Sequence, residues 1–157
     1  MEKDNQAIFE IRPLKKSDLT STYFMLLARL SYIDVSEMVN SQTKIDDFFM
    51  NYFNSRSHYI YVVEATHNGI VKLVGSGTVI IEEKFIHNFG KVAHIEDIVI
   101  DTEFRKYGLG RKLIQMLVSF SKNKNCYKVI LDCSEHNTGF YEKCGFQKHG
   151  VKMAHYF

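Results

Sequence analysis

The chain has 157 residues, of which 45% are hydrophobic and 13% aromatic, so it can bury one sizeable core. Its formal net charge of +2 argues against non-specific nucleic-acid binding as the main role, because that binding requires a strongly basic surface. Only one proline and nine glycines occur and no run of 18 apolar residues is present, so neither long disordered segments nor a membrane span is expected. We expect a single domain over residues 1–157.

The cysteines and the first residues predict a reducing environment. Cys126, Cys133 and Cys144 are an odd number without the paired spacing of a metal site, so no metal is expected. Cys133 follows an apolar run and is predicted to be a small core residue. Residues 2–5 are charged or polar, and the start of the chain lacks the apolar core of a secretory signal. Together these features favour a cytoplasmic location.

The first half of the chain has patterns typical of one strand, two helices and an antiparallel hairpin. Alternating apolar residues indicate strands, and apolar residues three or four apart indicate helices. Either Ser17 or Asp18 could cap the first helix. His67-Asn68-Gly69 is a strong turn signal for the hairpin, and Gly75 and Gly77 indicate a bulge in its second strand. The predicted elements are a strand from Ile8 to Arg12, helices from about Ser17 to Leu30 and from Ser36 to Tyr52, and strands from Tyr59 to Glu64 and from Val71 to Glu82.

The second half predicts strands that alternate with helices. A turn at Asn88-Phe89-Gly90 leads into an apolar strand, and a later near-continuous apolar run is expected to be a strand buried on both faces. The whole order predicts an α/β sandwich around one mixed sheet. The predicted elements are strands from Val92 to Ile100 and from Tyr127 to Cys133, helices from about Leu109 to Asn123 and from Asn137 to Lys143, and two final strands near Phe146 to His149 and Val151 to Tyr156.

The most informative segment lies between the strand ending at Ile100 and the helix that follows it. Gly108 and Gly110 stand where that helix begins, and glycine allows the backbone to approach a ligand. The first turn of a helix has unpaired N–H groups and a partial positive charge, which suit a phosphate. The segment is neither a Walker loop nor a dinucleotide fingerprint, and it predicts a ligand with a pyrophosphate. Four cations surround the same point: Arg105, Lys106, Arg111 and Lys112.

The pattern Arg105-x-x-Gly108-x-Gly110 resembles the acetyl-CoA loop of the GNAT acetyltransferase superfamily. From about Val74 to Met153 the chain is similar to the eukaryotic glucosamine 6-phosphate N-acetyltransferases of that superfamily. The segments that carry this resemblance are Lys84-Phe85-Ile86-His87, His94-Ile95-Glu96-Asp97-Ile98, Cys126 to Cys133 and Asn137 to Phe146.

This resemblance implies both a fold and a reaction. The fold is the GNAT acyltransferase fold, an α/β fold with a central mixed and splayed β-sheet flanked by helices. The reaction moves the acetyl group of acetyl-CoA to the 2-amino group of D-glucosamine 6-phosphate, on the route to UDP-N-acetylglucosamine. The resemblance also implies a homodimer with sugar sites near the subunit interface.

The reaction requires a base, because the attacking amine must lose its proton before it adds to a thioester. By resemblance Glu96 and Asp97 line the sugar pocket and Asp132 contacts the substrate, and we favour Glu96 or Asp132 as the group that acts on the amine. Adjacent side chains on a regular strand point to opposite faces, so Glu96 and Asp97 share one cleft only where a bulge or a splay intervenes. Asp97 could instead hold backbone N–H groups at the strand end.

Two further groups are candidates for the chemistry. The backbone N–H of Ile98 could stabilise the oxyanion if the strands part there. Tyr141 matches the family tyrosine that is credited with serving the departing CoA sulfur, a role that suits a hydroxyl donor. No covalent acyl-enzyme is required, because both substrates can bind together and react directly.

The resemblance also assigns two binding regions. Family members carry an arginine next to the chain end that reaches the sugar phosphate, whereas this chain has Tyr156 there, and Arg29 is a candidate to compensate. The implied acetyl-CoA residues are Ile98, Val99, Ile100, Arg105, Lys106, Tyr107, Gly108, Leu109, Gly110, Arg111, Asn137, Tyr141, Glu142 and Lys143. The implied sugar-phosphate residues are Ser31, Lys84, Phe85, Ile86, His87, Glu96, Asp97, Ile98, Tyr127, Lys128 and Asp132.

Two alternatives stay open from the sequence. The first is a GNAT acetyltransferase for another amine, such as a protein or a polyamine, although Lys84, His87 and Lys128 favour an anionic acceptor. The second is a CoA-binding module without turnover. The presence of Tyr141 and of the acidic residues argues against that module.

Overall fold

The computed structural model describes residues 7–157, and its centre is a five-stranded mixed sheet. The strands stand in the order β1-β2-β3-β4-β5. Neighbours from β1 to β4 are antiparallel, whereas β4 and β5 are parallel. The strands are β1 (Ile8–Pro13), β2 (His58–His67), β3 (Ile70–Glu83), β4 (Lys91–Ile100) and β5 (Cys126–Leu131). The predicted mixed sheet is confirmed.

Helices flank this sheet on both faces. Helix α5 buries Leu113 and Leu117 against one face, since residues four apart form a single apolar stripe. Helices α1 and α3 bury Tyr23, Phe24 and Ile45 against the other face. The helices are α1 (Ser21–Leu27), α2 (Val35–Asn40), α3 (Gln42–Asn54), the single turn α4 (Ile86–Phe89), α5 (Leu109–Asn123) and α6 (Thr138–Lys143). Within residues 7–157, no helix combines the length and apolarity that crossing a membrane requires.

The helices before β2 differ from the prediction. Neither Ser17 nor Asp18 caps α1, which begins after Thr20. Asp18 is buried instead, because Arg12 donates to both of its carboxylate oxygens at 2.7 and 2.9 Å. The predicted second helix is two helices, α2 and α3, that meet at Ser41.

The turn and bulge predictions for the hairpin are confirmed. Asn68 and Gly69 have φ values of 52° and 77°, which is the left-handed pair that a two-residue hairpin turn requires. The register of β3 shifts twice, once against β2 near Gly75 and once against β4 at Gly77. Both shifts lie at the glycines that the sequence pattern marked.

The end of the chain departs furthest from the prediction. None of the β5 residues is fully buried, although the apolar run predicts burial on both faces, because β5 is an edge strand of this chain. Cys133 is exposed and is not a core residue. Residues 147–157 are all exposed and contain no strand, so the two predicted final strands are wrong for this chain. A strand is stable only when it makes ladder hydrogen bonds, and the described residues do not pair this segment with a neighbour.

Candidate active site

A β-bulge interrupts β4 where the two adjacent carboxylates lie. Gly77 of β3 lies opposite both Asp97 and Ile98, and the register shifts between the flanking pairs. Asp97 has a φ of 54°, in the left-handed region that residues other than glycine rarely adopt. A Cβ at Gly77 would lie 2.5 Å from the Ile98 Cδ1, so glycine is needed for this close approach. The flanking pairs are Ser76 with Val99 and Thr78 with Glu96.

The bulge places Glu96 and Asp97 on the same side of the sheet. Ile95 packs in the core under α5, so the next residue, Glu96, faces the opposite side. Ile98 packs against the same core as Ile95, so Glu96 and Asp97 both stand between two residues that face α5, and Asp97 is exposed. The predicted requirement for a bulge between the two carboxylates is therefore met.

Strands β4 and β5 part immediately before the bulge. Their last parallel pair is Ile95 with Leu131, whereas β4 continues to Ile100. Among residues 7–157, no strand pairs with that edge of β4 from Glu96 onward. This opening is the predicted splay, and its open backbone edge could accept an extended ligand as an additional strand.

Asp132 faces Glu96 across the opening. Asp132 directly follows β5 and is exposed, and the Lys152 Nζ lies 3.1 Å from its Oδ2. The hydrogen bond with Asp132 raises the pKa of Lys152, and the charge of Glu96 adds to this rise. The ion pair with Asp132 shows that a cation can reach the β5 side of the opening.

The basic turn after β4 has the predicted form. A 3₁₀ turn over Thr102–Tyr107 leads to Gly108, whose φ is 67°, and α5 begins at the next residue. A Cβ at Gly108 would meet nothing within 4 Å, so the backbone is open to a ligand there. The Nε of Arg105 donates to the Ile100 carbonyl at 3.4 Å, which ties the turn to the end of β4. The predicted cations Arg105, Lys106, Arg111 and Lys112 are all exposed, as is Tyr107, whereas Leu109 is buried.

Gly110 has a packing role that the sequence pattern does not show. A Cβ at Gly110 would lie 3.2 Å from the Cζ of Phe140, so the missing side chain makes room for this ring of α6. The close packing of α6 on the start of α5 brings the α6 residues to the opening. Asn137 stands at the start of α6 and donates from its Nδ2 to the Ser134 Oγ at 3.2 Å, and Glu142 and Lys143 are exposed.

Tyr141 on α6 is half-buried between two rings. Phe140 and Phe146 lie 5.0 and 6.2 Å from it between ring centroids, both edge-on. Burial raises the pKa of Tyr141, and Cys133 and Cys144 add to this rise. The hydroxyl therefore keeps its proton at neutral pH and can donate it.

Asp101 organises the turn, although the sequence pattern does not mark it as a site residue. It is 4% exposed, its Oδ1 accepts from Arg29 Nη1 and from the Glu103 N–H at 3.2 Å each, and its Oδ2 accepts from Lys72 Nζ at 3.0 Å. Burial acts to raise the pKa of Asp101, but the hydrogen bond from Lys72, that from the Glu103 N–H and the nearby positive charges outweigh it, so the pKa is lowered. An aspartate directly before a helical turn is an N-cap signal that could have identified it.

These bonds correct the expectation for Arg29. Its guanidinium Nη1 donates to Asp101 and, at 3.1 Å, to the Thr102 Oγ1, so in this structure Arg29 serves the turn, and its role at the sugar phosphate stays a prediction. Ser31, two residues further along, is exposed after the end of α1.

Three of the predicted sugar-phosphate residues meet at the amino ends of β4 and β5. The rings of His87 and Tyr127 are 4.2 Å apart, and the Lys128 Nζ is 5.8 Å from the Tyr127 ring. Gly90 makes this contact possible, since a Cβ there would lie 2.9 Å from both His87 and Tyr127. The nearby side chains of Phe85 and Ile86 are exposed.

Lys84 connects this region to the carboxylates. Its Nζ bonds the Glu82 Oε1 at 2.6 Å, and the Glu82 Oε2 lies 2.9 Å from the His94 Nε2. His94 stands two residues before Glu96 and on the same face of β4. A row of charged and polar groups therefore runs along this face from Glu96 to Lys84. No group of three or more potential metal ligands occurs in residues 7–157.

Comparison with known proteins gives one consistent family. A sequence model of the Acetyltransferase (GNAT) family matches residues 24–146. The chain is 39% identical over 153 residues to the glucosamine 6-phosphate N-acetyltransferase of Arabidopsis thaliana, covering 95% of this chain and 97% of that protein. It is 35% identical to glucosamine 6-phosphate N-acetyltransferase 1 of Oryza sativa subsp. japonica, covering 95% and 87%. The crystal structure of the Arabidopsis thaliana protein superposes with a TM-score of 0.86 at 38% identity, covering 96% of this chain and 99% of that one.

Proposed function

The chain belongs to the GNAT family of acetyltransferases, and from this premise we propose that it transfers the acetyl group of acetyl-CoA to the 2-amino group of D-glucosamine 6-phosphate. The products are N-acetyl-D-glucosamine 6-phosphate and CoA, a step toward UDP-N-acetylglucosamine, which we place in the cytoplasm. The observation that carries this proposal is the opening between β4 and β5. There Glu96 and Asp132 directly follow the last paired residues, Ile95 and Leu131, on the two strands, and β4 has no strand partner on that edge beyond them among the described residues.

The residues of the opening fit acetyl-CoA. The unpaired edge of β4 from Ile98 to Ile100 would pair with the amide-containing arm of the cofactor. The turn from Arg105 to Arg111 would hold the pyrophosphate with backbone N–H groups and cations. Asn137, Tyr141, Glu142 and Lys143 of the α6 region would flank the middle of the molecule. Acetyl-CoA would supply the reactive thioester, and the chain would supply the base, the N–H group for the oxyanion and the proton donor for the sulfur.

The proposed chemistry is a direct attack of the amine on the thioester. Glu96 or Asp132, directly or through water, accepts the proton that the amine must lose. Asp97 lines the side of the opening where the sugar phosphate would bind, which we call the acceptor side. The N–H of Ile98, at the bulge, stabilises the oxyanion. Tyr141 donates its proton to the departing sulfur, since burial keeps the hydroxyl protonated. Glu96 and Asp132 both remain candidates for the base.

The acceptor side supports the proposal that the enzyme acts as a homodimer. The His87–Tyr127 pair lies beside Lys91, five residues before Glu96, which is about 16 Å along a strand at roughly 3.3 Å per residue. One hexose ring separates the amine of the acceptor from its phosphate and cannot span that distance. Lys84 is the one of the predicted sugar-phosphate cations that reaches back along the same face of this chain, through Glu82 and His94. His87, Tyr127 and Lys128 would therefore complete the acceptor site of a partner subunit.

Exposed apolar side chains support the same assembly. Phe85 and Phe89 are 90% and 75% exposed beside the His87–Tyr127 pair, and Val151, Met153 and Phe157 are almost fully exposed in the C-terminal segment. Side chains of this size are normally covered in a stable protein. A second copy would cover these side chains, and it would also add a neighbour to β5, which is an edge strand in one chain.

A thiol-release assay with a panel of amines tests the proposed activity. The panel contains glucosamine 6-phosphate, glucosamine 1-phosphate, unphosphorylated glucosamine, a lysine peptide and spermidine. We expect kcat/KM to be highest for glucosamine 6-phosphate. Turnover of the peptide or of spermidine without turnover of glucosamine 6-phosphate would assign the chain to a different amine.

Mixed dimers test the shared acceptor site. One chain carries Glu96→Gln with Asp132→Asn, and the other carries His87→Ala with Lys128→Ala. If the groups act across the interface, each double variant alone is inactive and co-refolding restores part of the activity, because one of the two sites regains a full set. A strictly monomeric protein in light scattering, or no recovery in the mixture, would show that each chain has its own complete site.

A further inference from the structure

Tyr23 is a buried titratable residue to which the proposed chemistry gives no role. It stands on α1, is 3% exposed, and its hydroxyl lies 3.1 Å from the Oγ of Ser76, which is 1% exposed on β3. Burial raises the pKa of Tyr23 to about 12; Ser76 acts against this rise, and the charge of Asp97 adds to it. The hydroxyl therefore stays protonated at every pH at which the enzyme would work.

The Tyr23–Ser76 hydrogen bond lies at the β-bulge. Ser76 is the last β3 residue that pairs before the register shift, and the next residue, Gly77, faces the two bulged residues Asp97 and Ile98. A left-handed conformation such as that of Asp97 costs on the order of 1 kcal/mol or more and persists only where its surroundings determine it. Two buried hydroxyls and one carboxylate thus converge where β4 changes register.

We propose that Tyr23 is a positioning residue for acetyl transfer: together with Ser76 it holds the bulge that presents Glu96, Asp97 and the Ile98 N–H to the reacting amine. This inference rests on the proposed function. Tyr23 acts through the backbone of β3 and β4 and is not assigned a contact with either substrate. Without its hydroxyl the strands are free to relax toward regular pairing, which would turn one of the two carboxylates away.

The experiment compares Tyr23→Phe, Ser76→Ala and the double variant Y23F/S76A with the wild type. The measurements are kcat and KM for glucosamine 6-phosphate, the Kd of acetyl-CoA by calorimetry, and Tm. We expect kcat to fall about 10-fold in each single variant, because a small misplacement of reacting groups has effects of this order. The Kd of acetyl-CoA should change by less than about twofold, because the turn at Gly108 is held separately by Asp101.

The double variant separates positioning from stability. Each single variant leaves one buried hydroxyl without its partner, which costs about 1–3 kcal/mol, whereas the double variant removes both hydroxyls and should recover part of the lost Tm. If Tyr23 positions the bulge, kcat stays low in the double variant although Tm recovers. A double variant whose kcat recovers together with Tm would reduce the hydroxyl to a purely structural role and overturn the proposal.

Tyr52→Phe is the matched control. Tyr52 packs against the same core cluster, and its hydroxyl bonds the backbone of Ile60 on β2, which does not pair with β4. This variant should lower Tm and leave kcat unchanged. Wild-type kcat in Tyr23→Phe would also overturn the positioning role, while the proposed function would stand. A wild-type enzyme without turnover of glucosamine 6-phosphate would overturn the proposed function and this role with it.

Discussion

The two sides of the opening between β4 and β5 are constructed differently. The proposed cofactor side consists of the end of β4, the turn after it and the start of α5. Ile100 and Leu109 are buried there, the turn between them is held by Asp101, and all of these parts belong to one chain. On the acceptor side, Asp132 is exposed and follows the edge strand β5, and the His87–Tyr127 pair is far from the carboxylates.

This contrast indicates a division of work within the fold. A pyrophosphate needs backbone N–H groups and cations at fixed positions, which a capped turn before a long helix provides within about ten residues. A sugar phosphate needs a carboxylate at one end and cations at the other, and a single twisted sheet places these groups on distant strand ends. Substitutions on the cofactor side should therefore change acetyl-CoA binding in any assembly, whereas those on the acceptor side should change turnover or acceptor affinity.

The largest effect is expected for Tyr141→Phe. The ring stays packed against Phe140 and Phe146, but the proposed proton donor for the sulfur is lost, so kcat should fall about 100-fold, the size typical for a general acid. The Kd of acetyl-CoA, measured by calorimetry, should stay within about twofold of the wild type. Tyr59→Phe is the control, because its hydroxyl donates to the Arg56 carbonyl at 2.8 Å outside the opening. Unchanged turnover in Tyr141→Phe would remove this residue from the chemistry.

Asp101→Asn should show the next largest effect, and this effect should be on acetyl-CoA binding. The amide loses the charge that holds Lys72 and Arg29, the turn loosens, and the Kd of acetyl-CoA should rise about 10-fold, equivalent to about 1.4 kcal/mol. The KM for the acceptor should change little. Asp46→Asn is the control, because Asp46 is an exposed carboxylate on α3 that pairs with Lys16 and not with a residue of the turn. A larger change in acceptor KM than in acetyl-CoA Kd would contradict the separation of the two sides.

The same substitution has a defined dependence on pH. The pKa of Asp101 is lowered in the folded protein, so its stabilisation is complete above the ordinary value of 3.8 and is lost as the pH falls through the lowered value. The difference in free energy of unfolding between wild type and Asp101→Asn should therefore be constant near neutral pH. It should shrink only in acid, below about pH 4. Denaturant melts over this range measure it, and a difference that grows in acid would have the wrong sign.

The sequence predicts the cofactor side well because its signals are local. The strand to Ile100, the glycines of the turn and the α5 stripe lie within about 25 residues, and Gly77 marks the bulge from the β3 side. The partners of Asp101 were not predictable, because Arg29 and Lys72 lie 72 and 29 residues away. The apolar run in β5 indicates that its side chains are to be buried, but it does not indicate which surface covers them. The prediction of a strand buried within this chain was therefore wrong. The final strands fail for the same reason.

Gly110→Ala tests how α6 is held to the cofactor side and should have a smaller effect. The new Cβ would lie 3.2 Å from Phe140, so α6 must shift by a few tenths of an ångström and move Tyr141 with it. We expect kcat to fall about threefold, a modest misplacement effect. Gly139→Ala is the matched control within α6, because a Cβ there meets nothing within 4 Å. Equal effects of the two substitutions would show that the contact with Phe140 does not matter.

Lys152→Met should have the smallest effect and addresses the acceptor side alone. The Lys152 ammonium lies 3.1 Å from Asp132, where the protonated acceptor amine would bind, so its removal should lower the acceptor KM. Exposed ion pairs are weak because solvent screens them, so the change should not exceed about fivefold. The pKa of Lys152 is raised, so the ammonium stays charged across the assay range and the effect should not depend on pH there. Lys148→Met, which removes a cation of the same segment paired with Glu135, is the control and should have no effect. An increase in acceptor KM would instead show that Lys152 binds the acceptor's phosphate, and the acceptor side would then depend on the C-terminal segment for its cation.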